Sequence, residues 1–338
     1  MRNVCSTIAR HFLCVGGLLF LVGWLAPMQI VLSRGERDDW FADPFIVTLT
    51  VIAATCLPLF IWWERRPDNR NPIISLATYR SRNFVLGSMY VVVLGMMLYG
   101  QLYFVPQFLR NVQHHSAFST GQMQTINAVW FTVGLIVGAQ MIKRLGFRAG
   151  LGVGAAAFMA GMLLWTFRLT LQISDEAMYL PLALTGFGAG WQIGPISTLI
   201  ASQTPNTQMG EAMELYLCQR QLGGSWGTAI LTIIVDQRRS FWSSRLGESL
   251  NDFSLHMQDA MREQTATFLS TGLPPSHAAA ASMGLLHARL QLQSVVNAFA
   301  DTFAYQACIG ALALLLVVFF ARGRAITTAM NWIVHMAR

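Results

Sequence analysis

The sequence predicts an all-α polytopic membrane protein with eight transmembrane helices, and three observations support this prediction. The 338 residues are 54% hydrophobic and only 12% charged, whereas a soluble domain carries roughly 25% charge. The apolar residues are grouped in long blocks, and a helix needs about 20 of them to cross a hydrocarbon layer. The basic residues lie mainly between these blocks. Lipid, rather than water, is therefore the predicted solvent.

The apolar blocks fix the predicted elements in chain order. Each is long enough for one membrane crossing as a helix rising about 1.5 Å per residue. The eight blocks cover residues 13–32, 44–63, 84–109, 119–142, 150–171, 178–202, 210–235 and 298–321. Small residues recur at a spacing of four within them, which favours close helix packing in lipid. This spacing occurs at Gly150/Gly154, Gly186/Gly190/Gly194 and Gly223/Gly227.

The connections between the blocks differ in charge on the two sides of the membrane. An even number of crossings places both termini on the same side. That side receives Arg2, Arg10, Arg65, Arg66, Arg70, Arg80, Arg82, Lys143, Arg144, Arg148, Arg322, Arg324 and Arg338. The short connections on the other side hold only Arg34, Arg37 and Arg110, with Arg168 near a helix end. Short cytoplasmic loops are rich in Lys and Arg, so both termini are predicted to be cytoplasmic.

The polar segments divide the chain into parts. Residues 1–83 form a two-helix N-terminal membrane segment with a cytoplasmic linker, and residues 84–321 form a six-helix unit. Residues 236–294 within that unit are polar and are predicted to be a periplasmic insertion containing some helix, for example over 278–293. Residues 322–338 are predicted to be a cytoplasmic tail with a short amphipathic run.

No group of residues indicates catalysis, so we expect no enzymatic activity, metal ion or cofactor. The string GGSWG at 223–227 fits the GxSxG pattern of hydrolases, but that motif needs a strand-to-helix turn. Here Ser225 lies inside a predicted helix. The cysteines lack CxxC spacing and are interpreted as packing residues. Nucleic-acid binding is excluded because the basic residues form no continuous stripe.

Charged residues inside the blocks are the first candidates for function, because each costs several kcal/mol in lipid. Arg220 lies roughly 15 Å into the seventh block. Glu214 precedes it on the same helix but on a different face, and Asp301 lies near the outer end of the last block. A relaxed Arg220–Asp301 salt bridge is not expected, because the two residues lie at different depths. Functional and structural roles are both open for Arg220 and Asp301.

Polar and aromatic side chains on helix faces are candidates for a substrate cavity. Such mixtures suit an amphipathic organic molecule, although interhelical hydrogen bonding is an equally simple role for any one of them. The candidates are Tyr99, Tyr103 and Gln107 on the third helix, Gln124 and Asn127 on the fourth, and Trp191 and Gln192 on the sixth.

Five stretches resemble the fourteen-helix drug:proton antiporter family of the major facilitator superfamily, the EmrB/QacA type. They are IVLSRGERDDWF at 30–41, SRNFVLGSMYVVVLGMMLYGQLYFVPQFL at 81–109, GFGAGWQIGPISTLI at 186–200, RQLGGSWGTAI at 220–230 and AFADTFAYQA at 298–307. The first two helices resemble that family's central linker pair. The last six resemble its C-terminal six-helix half, so the resemblance covers the C-terminal eight-helix portion only.

The resemblance implies partial multidrug efflux by drug:proton antiport with alternating access in the bacterial inner membrane. Asp301 and Glu214 are then candidate proton-coupling groups, with Arg220 an electrostatic organiser. It also implies amphipathic small-molecule substrates and a proton gradient. The expected protein partners are an N-terminal half-transporter chain, a periplasmic adaptor and an outer-membrane channel. The alternative is a truncated, non-transporting membrane protein, or an assembly subunit that binds a partner through its periplasmic loop.

Overall fold

The computed structural model describes residues 2–35, 40–66, 82–202, 204, 209–249, 255–270 and 274–320. All regular elements in these ranges are helical, which confirms the all-α prediction. A 3₁₀ turn at Trp40–Ala42 accompanies the α-helices. The α-helices are α1 (Arg2–Arg34), α2 (Pro44–Glu64), α3 (Arg82–Asn111), α4 (Ala117–Arg168), α5 (Asp175–Ser202), α6 (Met209–Ser249), α7 (Leu255–Ser270) and α8 (Pro275–Phe319).

In the described residues each predicted apolar block is helical, apart from residues 169–171 of the fifth block and Phe320 of the last. The fourth and fifth blocks belong to α4, which bends at Gly146. The φ angle of Gly146 is 76°, a left-handed conformation that glycine adopts without a Cβ penalty. We call Ala117–Ile142 the first arm of α4 and Arg144–Arg168, which contains the bend near its start, the second arm. Arg148, just after the bend, donates to the Val318 carbonyl near the C-terminal end of α8 at 2.7 Å.

Five helical segments are long and apolar enough to cross a membrane by length and composition. They are α2, the two arms of α4, Phe84–Asn111 of α3 and Ala280–Phe319 of α8. Helix α1 contains a shorter apolar stretch, Gly16–Leu32. The remaining two predicted crossings, on α5 and α6, are less apolar. Helix α5 is largely enclosed by its neighbours, and α6 carries exposed polar residues in its first half.

Glycines allow α5 to pack closely between the two arms of α4. A Cβ at Gly190 would lie 2.0 Å from the Phe131 carbonyl oxygen of the first arm. On the other side, a Cβ at Gly188 would lie 2.4 Å from the backbone nitrogen of Phe158 in the second arm. Only a residue without a side chain fits at such distances. The predicted small-residue packing is therefore present, and it fixes the three segments as one layer.

A second glycine contact joins α3 to α6. A Cβ at Gly223 would lie 2.0 Å from the Val92 carbonyl oxygen, and one at Gly95 would lie 2.1 Å from the Arg220 carbonyl oxygen. Helix α8 packs against α3, α6 and the second arm of α4. Buried aromatic rings fill this junction, with the Phe108 and Phe299 centroids 5.6 Å apart. These contacts make the last six crossings a single bundle.

The first two helices form a hairpin beside this bundle. Asp43 caps α2 by accepting a hydrogen bond from Phe45 N at 2.8 Å. Gly23 of α1 lies against Cys56 of α2, which agrees with a packing role for that cysteine. The Trp24 and Trp226 rings, with centroids 6.3 Å apart, join α1 to α6.

The predicted insertion is more helical than the sequence indicated. Helix α6 continues past the seventh apolar block to Ser249, α7 follows, and α8 begins at Pro275. Side chains tie these helices together. The Thr265 and Ser282 hydroxyls lie 3.0 Å apart, and Gln291 donates to the Ser243 hydroxyl at 3.3 Å. We call α6 beyond Val235, α7 and α8 before Ser294 the helical extension.

Candidate functional site

Asp301 has two hydrogen-bond donors, both supplied by α6. Its Oδ2 atom accepts from Arg238 Nε at 2.6 Å and from the Trp242 indole nitrogen at 2.6 Å. Arg238 and Trp242 are four residues apart and therefore lie on the same face of the helix. The Arg238 guanidinium also lies 4.7 Å from the Phe241 ring centroid. One carboxylate thus joins α6 to α8 just beyond the seventh apolar block.

The ion pair between Arg238 and Asp301 is partly exposed. The side chains of Arg238 and Asp301 are 32% and 27% exposed. Sequence reasoning missed Arg238 and Trp242 because both follow the seventh apolar block and were placed in the insertion. The signal that could have found them is their i, i+4 spacing, together with continued helix beyond Val235.

Arg220 is not part of this cluster. Its guanidinium carbon lies 5.6 Å from the centroid of the Tyr216 ring, a distance at which a cation interacts with the face of an aromatic ring. Its Nε atom is buried and has no hydrogen-bond partner among the described residues. No ion pair of Arg220 occurs in the described ranges, as expected from the lack of an acid at its depth.

Glu214 lies on the open face of α6. Glu214, Leu217, Cys218 and Gln221 are all exposed, and their spacing of three and four places them on one face of the helix. We call these four residues the α6 stripe. A carboxylate and an amide facing lipid inside a crossing would be costly. The α6 stripe is therefore suited to a water-filled cavity or to a partner surface.

A hydrogen-bonded network crosses the bundle at Thr185 of α5. The buried Gln101 of α3 donates to the Thr185 hydroxyl at 2.8 Å. Asn127 of α4 donates to the Leu182 carbonyl at 2.9 Å and to the same hydroxyl at 3.3 Å. Asn127 was predicted as a cavity residue, and its amide nitrogen donates hydrogen bonds inside the bundle. Gln101 and Thr185 were not singled out from the sequence.

Trp191 and Gln192 are also engaged within the bundle. The Trp191 indole donates to the Gly150 carbonyl at 2.8 Å. The amide of the fully buried Gln192 is bonded to the Tyr90 hydroxyl, and its Nε2 atom donates to the Gly188 carbonyl at 2.8 Å. Both residues hold α5 against its neighbours.

The other cavity candidates are more open. Tyr103 is 49% exposed, and Gln107 and Gln124 are half-buried. The buried Gln124 Oε1 atom has no hydrogen-bond partner in the described ranges. Tyr99 is half-buried, and its ring faces Gly224, where a Cβ would lie 2.2 Å from the ring. These four side chains keep more polar surface available for a ligand than Asn127, Trp191 and Gln192 do.

Gln306 of α8 is a further polar residue that sequence reasoning missed. It is fully buried, and neither atom of its amide has a partner among the described residues. Gly100 of α3 leaves room for it, because a Cβ there would lie 2.7 Å from Gln306 Nε2. A buried amide without partners is unfavourable, so Gln306 is expected to lower the stability of the bundle.

Comparison with known proteins connects these features to a family. The family model of the Major Facilitator Superfamily matches residues 12–228. The multidrug export protein EmrB of Escherichia coli K12 is 30% identical over 246 residues, which cover 72% of this chain and 47% of that protein. EmrB of Haemophilus influenzae is 26% identical over 90% of this chain and 58% of its own length.

A further curated relative agrees with this match. The multidrug resistance protein Stp of Mycobacterium tuberculosis is 30% identical over 68% of this chain and 42% of its own length. Among solved structures, a bacterial homologue of the human lysosomal transporter Spinster covers 84% of this chain and 59% of its own, with 14% identity and a TM-score of 0.44.

This chain spans about half the length of the curated relatives that it matches. The named curated relatives are export or resistance proteins. The family model covers more than half of the chain, and the apolar helices agree with a multi-pass membrane protein. The chain therefore belongs to the major facilitator superfamily of membrane transporters, with multidrug-export proteins of the EmrB type as its relatives.

Proposed function

We propose that this chain forms the C-terminal half of a drug:proton antiporter in the bacterial inner membrane, with both termini in the cytoplasm. The observation that carries the proposal is the Asp301 carboxylate, which accepts from Arg238 and Trp242 and joins α6 to α8. An acid that titrates inside a transporter is a means of coupling protons to movement.

The proposed coupling follows from charge. With Asp301 ionised, its ion pair with Arg238 holds α6 and α8 together. In the outer-open state Asp301 takes up a proton from the periplasm, which removes its negative charge; among the described residues, Arg238 keeps its contacts with the aromatic faces of Phe241 and Trp242. The two helices are then less strongly held, which lets the transporter rock to the inner-open state. Release of the proton toward the cytoplasm restores the pair, and substrate bound from the cytoplasm accompanies the return to the outer-open state, so each cycle carries a proton inward and substrate outward.

Substrate binds in this proposal between the chain and an N-terminal six-helix half. The α6 stripe forms part of the inner wall, with Glu214 as a second group able to take a proton. Tyr99, Tyr103, Gln107 and Gln124 contribute aromatic and amide surface, which suits an amphipathic molecule. Arg220 organises the charge near the middle of the membrane. Transporters with two halves rock these halves about a site between them.

The test uses the chain together with an N-terminal half, reconstituted in liposomes that contain a pH-sensitive dye. We expect Asp301→Asn to abolish drug-driven proton movement, because the amide cannot release a proton. The matched control is Asp175→Asn, which alters the exposed acid paired with His115 at 3.4 Å. Its coupling should match the unaltered protein.

Unchanged coupling in Asp301→Asn would remove Asp301 from the mechanism. Full drug resistance conferred by residues 1–338 alone in a pump-deleted host would contradict the need for another half.

A second role is proposed for the helical extension, namely docking of a periplasmic adaptor. Its helices are joined by the Thr265–Ser282 and Ser243–Gln291 contacts, which favours an ordered surface over a flexible loop. Replacing residues 255–270 with a short glycine-serine linker separates this role from transport. We expect drug:proton exchange in liposomes to persist and resistance in cells to fall. Retained resistance would count against the docking role.

A further inference from the structure

A cavity of about 840 Å³ opens between the bundle and the helical extension. Its wall on one side consists of residues 112–114, which follow α3, and residues 171–172, which follow α4. The other side is formed by Leu246 of α6 and by α8 between Leu286 and Gln293. The volume lies within the roughly 300–1,000 Å³ of ordinary small-molecule sites. None of the residues assigned to the transport cycle above lines this cavity.

The lining is amphipathic with a positive end. Helix α8 contributes Leu286, Arg289, Leu290 and Gln293, whose spacing of three and four places them on one helix face. Further leucines complete an apolar wall, and His114 lies on the opposite side. No carboxylate belongs to the part of the lining that the described residues form. Arg289 is exposed and forms no ion pair within the described ranges, so its charge is available to a ligand.

The turns that close the cavity are held in place before any ligand arrives. Gln113 Nε2 donates to the carbonyls of Thr170 and Leu171 at 3.3 and 3.2 Å, which ties the two turns together. The neighbouring acid Asp175 is directed to His115 and does not line the cavity. His114 has a φ of 55°, an uncommon conformation for a residue with a side chain. A preformed wall lowers the ordering cost of binding.

We propose that this cavity binds an amphipathic anion, with its apolar tail against the leucines and its carboxylate, sulfate or phosphate on Arg289. The guanidinium forms paired hydrogen bonds with such groups, and the leucine wall accepts a hydrocarbon chain. The anion can come from a soluble single-chain amphiphile or from an anionic lipid of the membrane. Binding here is separate from proton coupling at Asp301 and does not depend on transport.

The experiment uses the full chain in phosphatidylcholine nanodiscs and a dodecanoate probe with a diazirine on its tail. After irradiation, labelled peptides are mapped by mass spectrometry. We expect label on residues 112–114, 171–172 or 286–293. A dodecyltrimethylammonium probe with the same tail should not label them. Arg289→Gln should weaken the anionic labelling about tenfold, because the headgroup loses its charged partner.

The matched control is Arg262→Gln, which removes an exposed arginine of α7 that does not line the cavity, and it should label like the unaltered chain. Because both variants change exposed side chains, we expect them to fold normally. Size-exclusion chromatography checks this. A further arm adds phosphatidylglycerol. If phosphatidylglycerol reduces the labelling by the dodecanoate probe, the site also binds anionic lipid. If it leaves the labelling undiminished, the site binds soluble amphiphiles. Equal labelling by both probes, or labelling unaffected by Arg289→Gln, would overturn the proposal.

Discussion

The Asp301 carboxylate joins two helices through a single side chain. Its partners Arg238 and Trp242 lie one turn apart on α6, so one oxygen connects α6 to α8. Because both members of the ion pair are only partly exposed, their attraction is screened less than at an open surface. A proton at this point changes a charge and a hydrogen-bond acceptor together.

Gln306 leads to a prediction about stability at the residue scale. Its amide is buried without partners, so Gln306→Met removes an unpaired polar group while keeping an unbranched side chain. We expect this variant to be more stable by about 1 kcal/mol, seen as a higher melting temperature in detergent.

The matched variant is Gln101→Met, which removes a similarly buried amide that does bond to Thr185. It should lose about 1 kcal/mol. A lower melting temperature for Gln306→Met would show that its amide has partners that the described contacts do not include.

At this scale, the sequence could identify unusual residues but not their partners. Asp301 stood out because an acid within an apolar block is costly. Its partner Arg238 belongs to a polar stretch, and its approach depends on how far α6 continues. Likewise, Asn127, Trp191 and Gln192 have the composition of a cavity wall. Only the positions of Thr185, Gly150 and Gly188 show that their polar groups are used inside the bundle.

At the scale of elements, the α3–α6 contact depends on close approach of two backbones. The pattern GGSWG, which also fits a hydrolase motif, here places Gly223 over Val92 and Gly227 over Met96. Ser225 is within a continuous helix, so the strand-to-helix turn needed to present a nucleophile is absent at this position. The glycines therefore serve packing, and their spacing alone had indicated that role.

This contact predicts a sharp difference between two glycines of α6. In Gly223→Ala the new methyl group would lie 2.0 Å from a backbone oxygen, which cannot move without shifting α3. We expect a loss of about 1–3 kcal/mol, measured by unfolding in mixed detergent.

The control is Gly247→Ala on the same helix, where nothing lies within 4 Å of the added Cβ. It should be neutral or stabilising by up to about 1 kcal/mol, because alanine is the better helix former. Equal stability of the two variants would mean that α3 and α6 do not approach as described.

The sequence predicted the helices of the apolar blocks well, because their signal is a long apolar run and not a periodic pattern. A long apolar block specifies a helix in lipid because every backbone polar group must be bonded internally. The continuation of α6 and α8 outside the predicted apolar blocks carries no such signal, since it is rich in polar residues. Its helices are held by contacts between distant segments, such as Ser243 with Gln291, and these cannot be deduced from composition.

On the scale of the whole molecule, the exposed surfaces differ in character. The first arm of α4 exposes Trp130 and Val129, and the C-terminal part of α8 exposes Leu312, Leu315 and Val318. Such surfaces suit lipid. The α6 stripe differs from these surfaces because two of its four residues, Glu214 and Gln221, are polar. One side of the bundle is thus prepared for water or for another half, in agreement with the proposed position of the substrate.

Two cysteines allow these surfaces to be distinguished. Cys218 lies on the α6 stripe and Cys308 on α8, and both are exposed free thiols. In the chain assembled with an N-terminal half, we expect a water-soluble maleimide to react with Cys218 much faster than with Cys308. Maleimide requires a thiolate, which forms in water but not against lipid tails. Variants that keep one cysteine at a time, analysed by mass spectrometry, provide the measurement.

The second part of this prediction concerns the effect of a bound drug on the labelling. A drug bound beside the α6 stripe should slow the labelling of Cys218, because it occupies the water through which the reagent arrives. The same drug should leave the slow reaction at Cys308 unchanged, which excludes a general effect on the reagent or the bilayer. Equal rates at the two thiols, or drug protection at Cys308 alone, would place the transport path on a different face of the bundle and leave the α6 stripe without its proposed role.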